Sequence, residues 1–287
     1  ADINLKSAQV GEKAGVLVIA PCVGSTAMGP DNGLTLGYSL GSAVPGEAAI
    51  MAEYAFESLG KTATLFKDMS IAYTTSQCDS FAKRFKELGG TVKSTQEFNQ
   101  TQAGALDKPV TAQVAAAKTD AAGVIALCSY PGGGAEALGA IRAAGIKTPV
   151  ISGFGMDGAF WASAVTNHSN HYVVTYASVY GDDTNAKVRS ILADFKKATG
   201  SSAATSGLIT GAAAVEAFAL AAKRAGSTDG KKLAAEMDKF DKENLTAGPT
   251  SFTPSLHVNV SRPMAILKTT NGKTKLVKYA AAKKPTF

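Results

Sequence analysis

Short apolar runs alternate with helix-like segments over more than half of this chain of 287 residues, and this alternation constrains the fold most strongly. Residues 62–66 and 123–127 are strand-like apolar runs, and residues 76–88 between them form an amphipathic helix pattern. The alternation runs from Val16 to about Tyr176. Short apolar strands joined by helices predict a parallel sheet that helices cover on both faces, which is an α/β fold.

The pattern changes after about Asn185, where helical periodicity dominates until three strand-like runs close the chain. Asn271-Gly272 separates the last two runs and predicts a hairpin, because both residues tolerate the positive φ of a tight turn. A helix is also expected over residues 159–165. The three closing runs are residues 250–253, 264–267 and 275–279.

Composition excludes several classes of protein. Hydrophobic residues make up 45% and charged residues 18% of the chain, which is enough apolar material for a core. No apolar run reaches the roughly 18 residues of a membrane helix. The formal net charge is +6, but the lysines are scattered and no nucleic-acid motif accompanies them. The chain opens without a signal peptide, so it is either cytoplasmic or a mature chain whose leader has been removed.

Cysteine spacing gives little chemistry. No C-x-x-C motif is formed by the three cysteines, Cys22, Cys78 and Cys128. The sequence therefore supports neither a zinc site nor a thioredoxin-like motif. Because the count is odd, not all three can pair within the chain. Small buried side chains, with at most one disulfide of undetermined pairing, are expected.

Two motifs resemble those of enzymes but lack essential parts. Residues 153–158 read G-x-G-x-x-G, yet the acidic residue that would bind a ribose about twenty positions later is missing, which favours a structural turn. Residues 37–41 read G-x-S-x-G around Ser39, and a serine hydrolase with a distal histidine is the alternative reading. The next helix begins too late to cap Ser39, which favours a strand here. The candidate histidines are His168, His171 and His257.

Two further groups are candidate ligand sites. His168 and His171 have the spacing of metal ligands but lack a third ligand nearby, so a surface or interface pair is favoured. Residues 131–134 are glycine-rich and open a helix without the rest of a phosphate-binding loop. Backbone N–H groups there are able to receive a carboxylate or another anion.

An ordered series of segments carries a resemblance that extends over nearly the whole chain. The segments are residues 7–21, 52–66 with Tyr73, 121–127, 145–150, 222–229, 250–257, 262–266 and 271–273. This order resembles that of the periplasmic solute-binding proteins of ABC importers, of the branched-chain amino-acid-binding type. The resemblance implies the type I two-lobed fold, with parallel sheets covered by helices and a ligand cleft between the lobes. It places residues 1–40 and 178–262 in lobe 1, and residues 41–177 and 263–287 in lobe 2.

The resemblance also implies what the chain does. It predicts a receptor, not an enzyme, that binds a small carboxylate: an aromatic or branched-chain acid, or an amino acid. The expected partner is a membrane permease, and the chain is expected to be a periplasmic monomer whose signal peptide has been removed. No cofactor, metal or nucleic acid is expected. A ligand-sensing regulator with the same fold is a further alternative.

Site residues are carried over by position. The turn after the first strand is expected to bind the ligand carboxylate through small and hydroxyl-bearing residues, and aromatic residues after the later strands are expected to surround the ligand body. The predicted ligand-binding residues are Cys22, Gly24, Ser25, Thr26, Tyr73, Ser129, Tyr130 and Phe154.

Two departures from the family pattern are visible. Phe154 stands where amino-acid binders of this type carry a glutamate that pairs with the ligand ammonium. Since a buried ammonium without a carboxylate is costly, an aromatic or hydrophobic acid is favoured. The family also begins with a strand-helix-strand-helix-strand block, so we expect that the N-terminal part of lobe 1 is absent from this sequence.

Overall fold

The chain divides into two compact units, each built from two stretches of sequence. The computed structural model describes residues 2–260 and 262–284, with side chains from Leu5 onward. Unit 1 comprises Ala1–Val44 and Thr184–Pro263, and unit 2 comprises Pro45–Asp183 and Met264–Phe287. Parts of the predicted lobes, namely Ala1, Ser261 and residues 285–287, lie outside the described residues. The lobe assignment itself stays a prediction.

Helices and strands alternate as the sequence indicates. The helices are α1 Asp2–Ala14, α2 Val44–Ser58, α3 Ala72–Glu87, α4 Thr111–Asp120, α5 Gly133–Ala143, α6 Ala186–Thr199, α7 Gly207–Ala225 and α8 Gly230–Met237. The strands are β1 Val18–Ala20, β2 Gly37–Ser42, β3 Thr62–Asp68, β4 Thr91–Phe98, β5 Val124–Cys128, β6 Val150–Ser152, β7 His171–Thr175, β8 Glu243–Leu245, β9 Gly248–Thr250, β10 Val258–Asn259, β11 Met264–Thr270 and β12 Lys273–Ala280. Within the described chain, no helix combines the length and apolarity required to cross a bilayer.

Unit 2 is built on a seven-stranded sheet in the order β12-β11-β7-β6-β5-β3-β4. The five strands from β7 to β4 are parallel, and the β11–β12 hairpin adds an antiparallel edge. Alternate side chains of β5 enter two cores, with Val124 and Ala126 on one face and Ile125 and Leu127 on the other. Helices therefore cover both faces, as the unbroken apolar runs predict.

Unit 1 contains a smaller parallel sheet in the order β1-β2-β10. Its central strand β2 is buried along its whole length. The Tyr38 hydroxyl lies 3.1 Å from the Ala234 carbonyl oxygen and 2.6 Å from Asp238 Oδ1, which joins β2 to the end of α8. The Tyr38 ring also stacks on His257, with centroids 3.9 Å apart. This aromatic contact connects β2 with the segment that precedes β10.

Two predicted elements differ from the structure, and one turn is confirmed. The helix expected over 159–165 is reduced to a single 3₁₀ turn, Ala162–Ala164. Gly158 before it has a φ of 104°, outside the helical region, so the chain does not enter the segment in a helical conformation. The strand expected over 250–253 ends at Thr250, where β9 pairs with β8. The Asn271-Gly272 turn joins β11 and β12 with φ values of 49° and 72°.

A disulfide joins Cys78 of α3 to Cys128 at the end of β5. Both residues are fully buried in the core of unit 2, whereas Cys22 is a free, exposed thiol. The bond encloses a loop of 50 residues between α3 and β5. The pairing that the sequence left open is therefore 78 with 128.

Removal of this bond is expected to destabilise the protein. In the chain-entropy description, release of a loop of 50 residues costs about 4 kcal/mol. The double variant Cys78→Ala/Cys128→Ala should therefore lose about that much free energy of unfolding in urea titrations. Cys22→Ala serves as the control and should keep the stability of the parent. Equal stability of all three proteins would contradict a stabilising disulfide.

Candidate functional site

One edge of the unit 2 sheet collects the residues that follow its parallel strands. Tyr73 lies in the first turn of α3 after β3, Ser129 and Tyr130 follow β5, and Phe154 lies in a 3₁₀ turn after β6. The carboxyl ends of parallel strands meet at one edge, so these segments converge there. Tyr176, which follows β7, meets the Phe154 ring edge to face at 4.8 Å. The structure thus brings the four predicted site residues of unit 2 to a single edge.

A buried carboxyl group ties this edge together. Glu47 lies in the first turn of α2 and is 1% exposed. Its Oε1 accepts hydrogen bonds from the Tyr73 hydroxyl at 2.7 Å, from Gln77 Nε2 at 2.6 Å and from the Phe154 backbone N–H at 2.9 Å. The Tyr73 hydroxyl also accepts from the Gly155 backbone N–H at 3.0 Å. One glutamate therefore fixes the positions of two predicted ligand-binding aromatic residues.

The electrostatics of this cluster follow from its burial. Desolvation raises the pKa of Glu47 to about 7, although Tyr73, the Phe154 N–H and Gln77 oppose that rise by donating to the carboxylate. Burial and the neighbouring Glu47 raise the pKa of Tyr73 well above its usual range. Tyr73 therefore stays protonated and remains a donor. The state of the cluster depends on one proton, that of Glu47.

Phe154 has a carboxylate neighbour that the sequence does not indicate. Glu47 Oε1 lies 2.9 Å from the Phe154 backbone nitrogen. Glu47 was missed because the two residues are 107 positions apart in the chain. The available signal was a glutamate two residues after Pro45, followed by the apolar run of residues 48–52.

A second polar cluster surrounds the predicted residue Ser129. Its hydroxyl is buried and donates to Asp68 Oδ2 at 2.8 Å. Gln100 Nε2 donates to the same carboxylate oxygen at 2.5 Å, and the Ser70 hydroxyl donates to Asp68 Oδ1 at 2.6 Å. Asp68 is fully buried, so these donors replace its hydration. Ser129 therefore holds the loops after β3, β4 and β5 together, while Tyr130 beside it is half-buried.

The other predicted residues lie in unit 1, in the loop after β1. Cys22 is exposed, and Gly24, Ser25 and Thr26 are half-buried. The Ser25 hydroxyl accepts from the Ala27 backbone N–H at 3.2 Å. A Cβ at position 24 would lie 2.9 Å from the Ser42 carbonyl oxygen, so the close approach of this loop to β2 requires glycine. This packing explains the glycine at position 24.

The hydrolase alternative is not supported by the geometry. Ser39 is fully buried in β2, and its hydroxyl donates to the Val23 carbonyl at 2.6 Å. His257 Nδ1 donates to the Gly37 carbonyl at 2.9 Å, and its Nε2 lies 3.1 Å from Asp238 Oδ1. No base is therefore directed at the Ser39 hydroxyl among the described contacts.

The two remaining histidines bond to each other. His168 Nε2 and His171 Nδ1 are 3.1 Å apart, and His171 Nε2 lies 3.1 Å from the Ser152 hydroxyl. The expected surface pair is wrong, because both rings are buried. Burial lowers the pKa of His168 to about 4 and that of His171 well below its ordinary value, so both are neutral near pH 7. Across residues 2–260 and 262–284, no cluster of three potential ligands could hold a metal.

Both glycine-rich turns have structural causes. A Cβ at Gly153 would lie only 1.9 Å from Glu47 Oε1, so this glycine makes room for the buried carboxyl group. The Gly133 N–H, which the sequence offered to an anion, donates to Gln100 Oε1 at 2.8 Å and to the Gly104 carbonyl at 2.5 Å. Neither turn supports phosphate binding.

Comparison with known proteins gives a consistent family signal. A family model described as "Periplasmic binding protein" matches residues 1–274. A leucine-binding protein of Thermotoga maritima is similar in structure, with 19% identity and a TM-score of 0.81, and the match covers 96% of this chain and 76% of that one. No curated protein matches the sequence.

Two further solved structures were determined with ligands. A branched-chain amino-acid substrate-binding protein of Streptococcus pneumoniae, in complex with isoleucine, has 21% identity and a TM-score of 0.80, over 96% of this chain and 76% of that one. A solute-binding protein of R. palustris, in complex with benzoate, has 16% identity and a TM-score of 0.78, over 96% and 74%. At these identities the likeness establishes the fold.

The raised pKa of Glu47 predicts a pH-dependent stability. The folded state holds a proton between pH 4.5, the ordinary value for glutamate, and about 7. The raised pKa therefore adds up to about 3 kcal/mol to the free energy of unfolding below pH 4.5. This contribution is lost as the pH rises through 7. Urea titrations across this range should show the parent losing stability relative to Glu47→Gln. Parallel curves for the two proteins would contradict the buried, protonated carboxyl.

Proposed function

The chain belongs to the periplasmic binding protein family, and we propose that it is the solute receptor of an ABC importer. It is a binding protein and not an enzyme. The ligand that we propose is a small carboxylate with an apolar body: an aromatic or branched-chain acid, or an amino acid. The observation that supports this most directly is the aromatic edge of unit 2, where Tyr73, Tyr130, Phe154 and Tyr176 follow four parallel strands.

This edge has the properties of a wall against an apolar ligand. Phe154 and Tyr130 are half-buried, so each residue keeps an exposed part that is able to contact a ligand, and the Tyr176 ring packs edge to face against Phe154. Aromatic rings provide large contact areas at a small cost in side-chain entropy. Hydrogen bonds already hold Tyr73 and the Phe154 backbone, so little ordering remains to be done on binding.

Polar groups that suit a ligand carboxylate lie in the loop after β1, within unit 1. The loop after β1 carries the Ser25 and Thr26 hydroxyls, directly after Gly24, which packs closely against Ser42. Hydroxyl and backbone N–H groups are suitable donors for a ligand carboxylate. We assign carboxylate recognition to Gly24, Ser25 and Thr26, with Cys22 beside them at the exposed end of the loop.

Location and partner follow from the same proposal. The Cys78–Cys128 disulfide is compatible with an oxidising compartment such as the periplasm. There the receptor would deliver its ligand to a membrane permease, acting as a monomer. The solved structures with isoleucine and with benzoate support both an amino acid and an aromatic acid as the ligand class.

A ligand panel tests this function. Leucine, isoleucine, phenylalanine, benzoate, 4-methylpentanoate and 3-phenylpropanoate are added separately at increasing concentration. At about 100 times Kd a true ligand stabilises by about 2.7 kcal/mol, which raises Tm by about 5 °C. At least one member should do so in a thermal-shift measurement. A flat response to the whole panel would refute the proposed ligand class.

Tyr130 should be required for binding more than for folding. Since the side chain is half-buried, Tyr130→Ala should leave Tm nearly unchanged but weaken binding of the best panel ligand by about tenfold or more. Phe218→Ala is the matched control, because Phe218 is an aromatic residue of α7 that is 41% exposed. Calorimetric titration measures both variants. Equal affinities would remove Tyr130 from the site.

A further inference from the structure

We propose that Glu47 determines ligand specificity, its free oxygen Oε2 receiving the ammonium of an amino-acid ligand so that binding is coupled to release of a proton. This inference rests on the proposed function and names the ligand class within it. Glu47 is not among the residues that the sequence assigned to the site.

The hydrogen bonds of Glu47 are one-sided. All three donors, from Tyr73, Gln77 and Phe154, converge on Oε1. Oε2 accepts no hydrogen bond from any described residue, and it is not among the fully enclosed polar atoms. An ionised carboxylate offers about four acceptor positions, so half of this group is left without a partner. A donor from outside the protein is needed to complete it.

The hydrogen bonds of Glu47 favour its charged form, although burial outweighs them and raises its pKa. Three donors on one oxygen and the position in the first turn of α2, where the helix dipole is positive, both stabilise an anion. The elements packed against Glu47 present Tyr73 and Gln77 from α3 and the Phe154 N–H from the turn after β6. None of the ion pairs found among the described side chains includes Glu47. The anion therefore lacks a counter-charge, which a ligand ammonium provides.

The Glu47 carboxyl group lies at the aromatic edge of unit 2. Glu47 bonds to the backbone of Phe154 and to the hydroxyl of Tyr73, two residues already assigned to the ligand body. An amino acid presents its ammonium on the carbon between its carboxylate and its apolar side chain. A carboxyl group beside the aromatic wall has the position required to distinguish an amino acid from the corresponding simple acid.

Binding of an amino acid and protonation of Glu47 should oppose each other. In the ligand-free protein the pKa of Glu47 is about 7, because of burial. A bound ammonium favours the anion and lowers this pKa, so binding expels the proton. The affinity for an amino acid should then rise about tenfold for each pH unit between pH 5 and about 7 and level off above that. A simple acid has no ammonium, and its affinity should fall over the same range.

The experiment uses two matched pairs of probes that differ only by the ammonium group: leucine with 4-methylpentanoate, and phenylalanine with 3-phenylpropanoate. Calorimetric titrations are made from pH 5 to 7.5, where leucine and phenylalanine keep both charges. Buffers of different ionisation enthalpy report proton release. For the parent protein at pH 7 we expect about half a proton released per amino acid bound.

Variants separate Glu47 from the general fold. Glu47→Gln should bind the amino acid about 100-fold more weakly at pH 7.5 and without pH dependence, because the amide carries neither the negative charge nor the titratable proton of the carboxyl group. Glu216→Gln is the control: this carboxyl accepts two hydrogen bonds from Thr246 in unit 1, and its loss should leave the pH profile unchanged. Proton release by the parent needs no variant, so the test stands if Glu47→Gln fails to fold.

Each outcome decides the question. Amino-acid binding with proton release supports the role of Glu47. Flat amino-acid affinity across the pH range, or binding of only the two simple acids, overturns it while the receptor function stands. If no probe binds, the proposed ligand class fails first and the role of Glu47 fails with it.

Discussion

Parallel pairing of β3, β5, β6 and β7 is the constraint on which the rest of unit 2 depends. Parallel strands all end at the same edge, so every loop that follows a strand returns to one place, however far apart the loops are in sequence. The sheet thereby gathers Tyr73, Tyr130, Phe154 and Tyr176 without any motif that links them. Hydrogen bonds between neighbouring loops then hold this edge in place.

Those contacts are formed by two buried carboxyl groups with different environments. Asp68 has donors on both oxygens, from Ser70, Gln100 and Ser129, and it acts as a fixed joint between loops. Glu47 has donors on one oxygen only. Because an unsatisfied buried charge is expensive, the second group exists as a balance between a protonated and a charged state. The same edge thus combines a rigid support with a titratable group.

The sequence predicted the sheet well and the polar clusters poorly. Apolar runs such as 123–127 reveal strands because burial on both faces leaves a local pattern, and Asn271-Gly272 reveals its turn through local backbone preference. The contacts of Glu47 have no local pattern, since their partners come from α3 and from the turn after β6. The helix expected over 159–165 failed for a related reason: its periodicity was local, but Gly158 and the packing of Trp161 set the backbone. The strand ends that carry Tyr73, Ser129, Tyr130 and Phe154 were predictable, whereas the buried groups that hold these residues were not.

The place of the disulfide has one further consequence. Cys78 directly follows Gln77 of the Glu47 cluster, and Cys128 directly precedes Ser129 of the Asp68 cluster. The bond therefore couples the backbones that carry both carboxyl networks. In a reducing compartment α3 is held to β5 by packing alone, and the spacing between the two networks loses its covalent constraint. Oxidation of the two cysteines is therefore the step that fixes the spacing of the two carboxyl networks covalently.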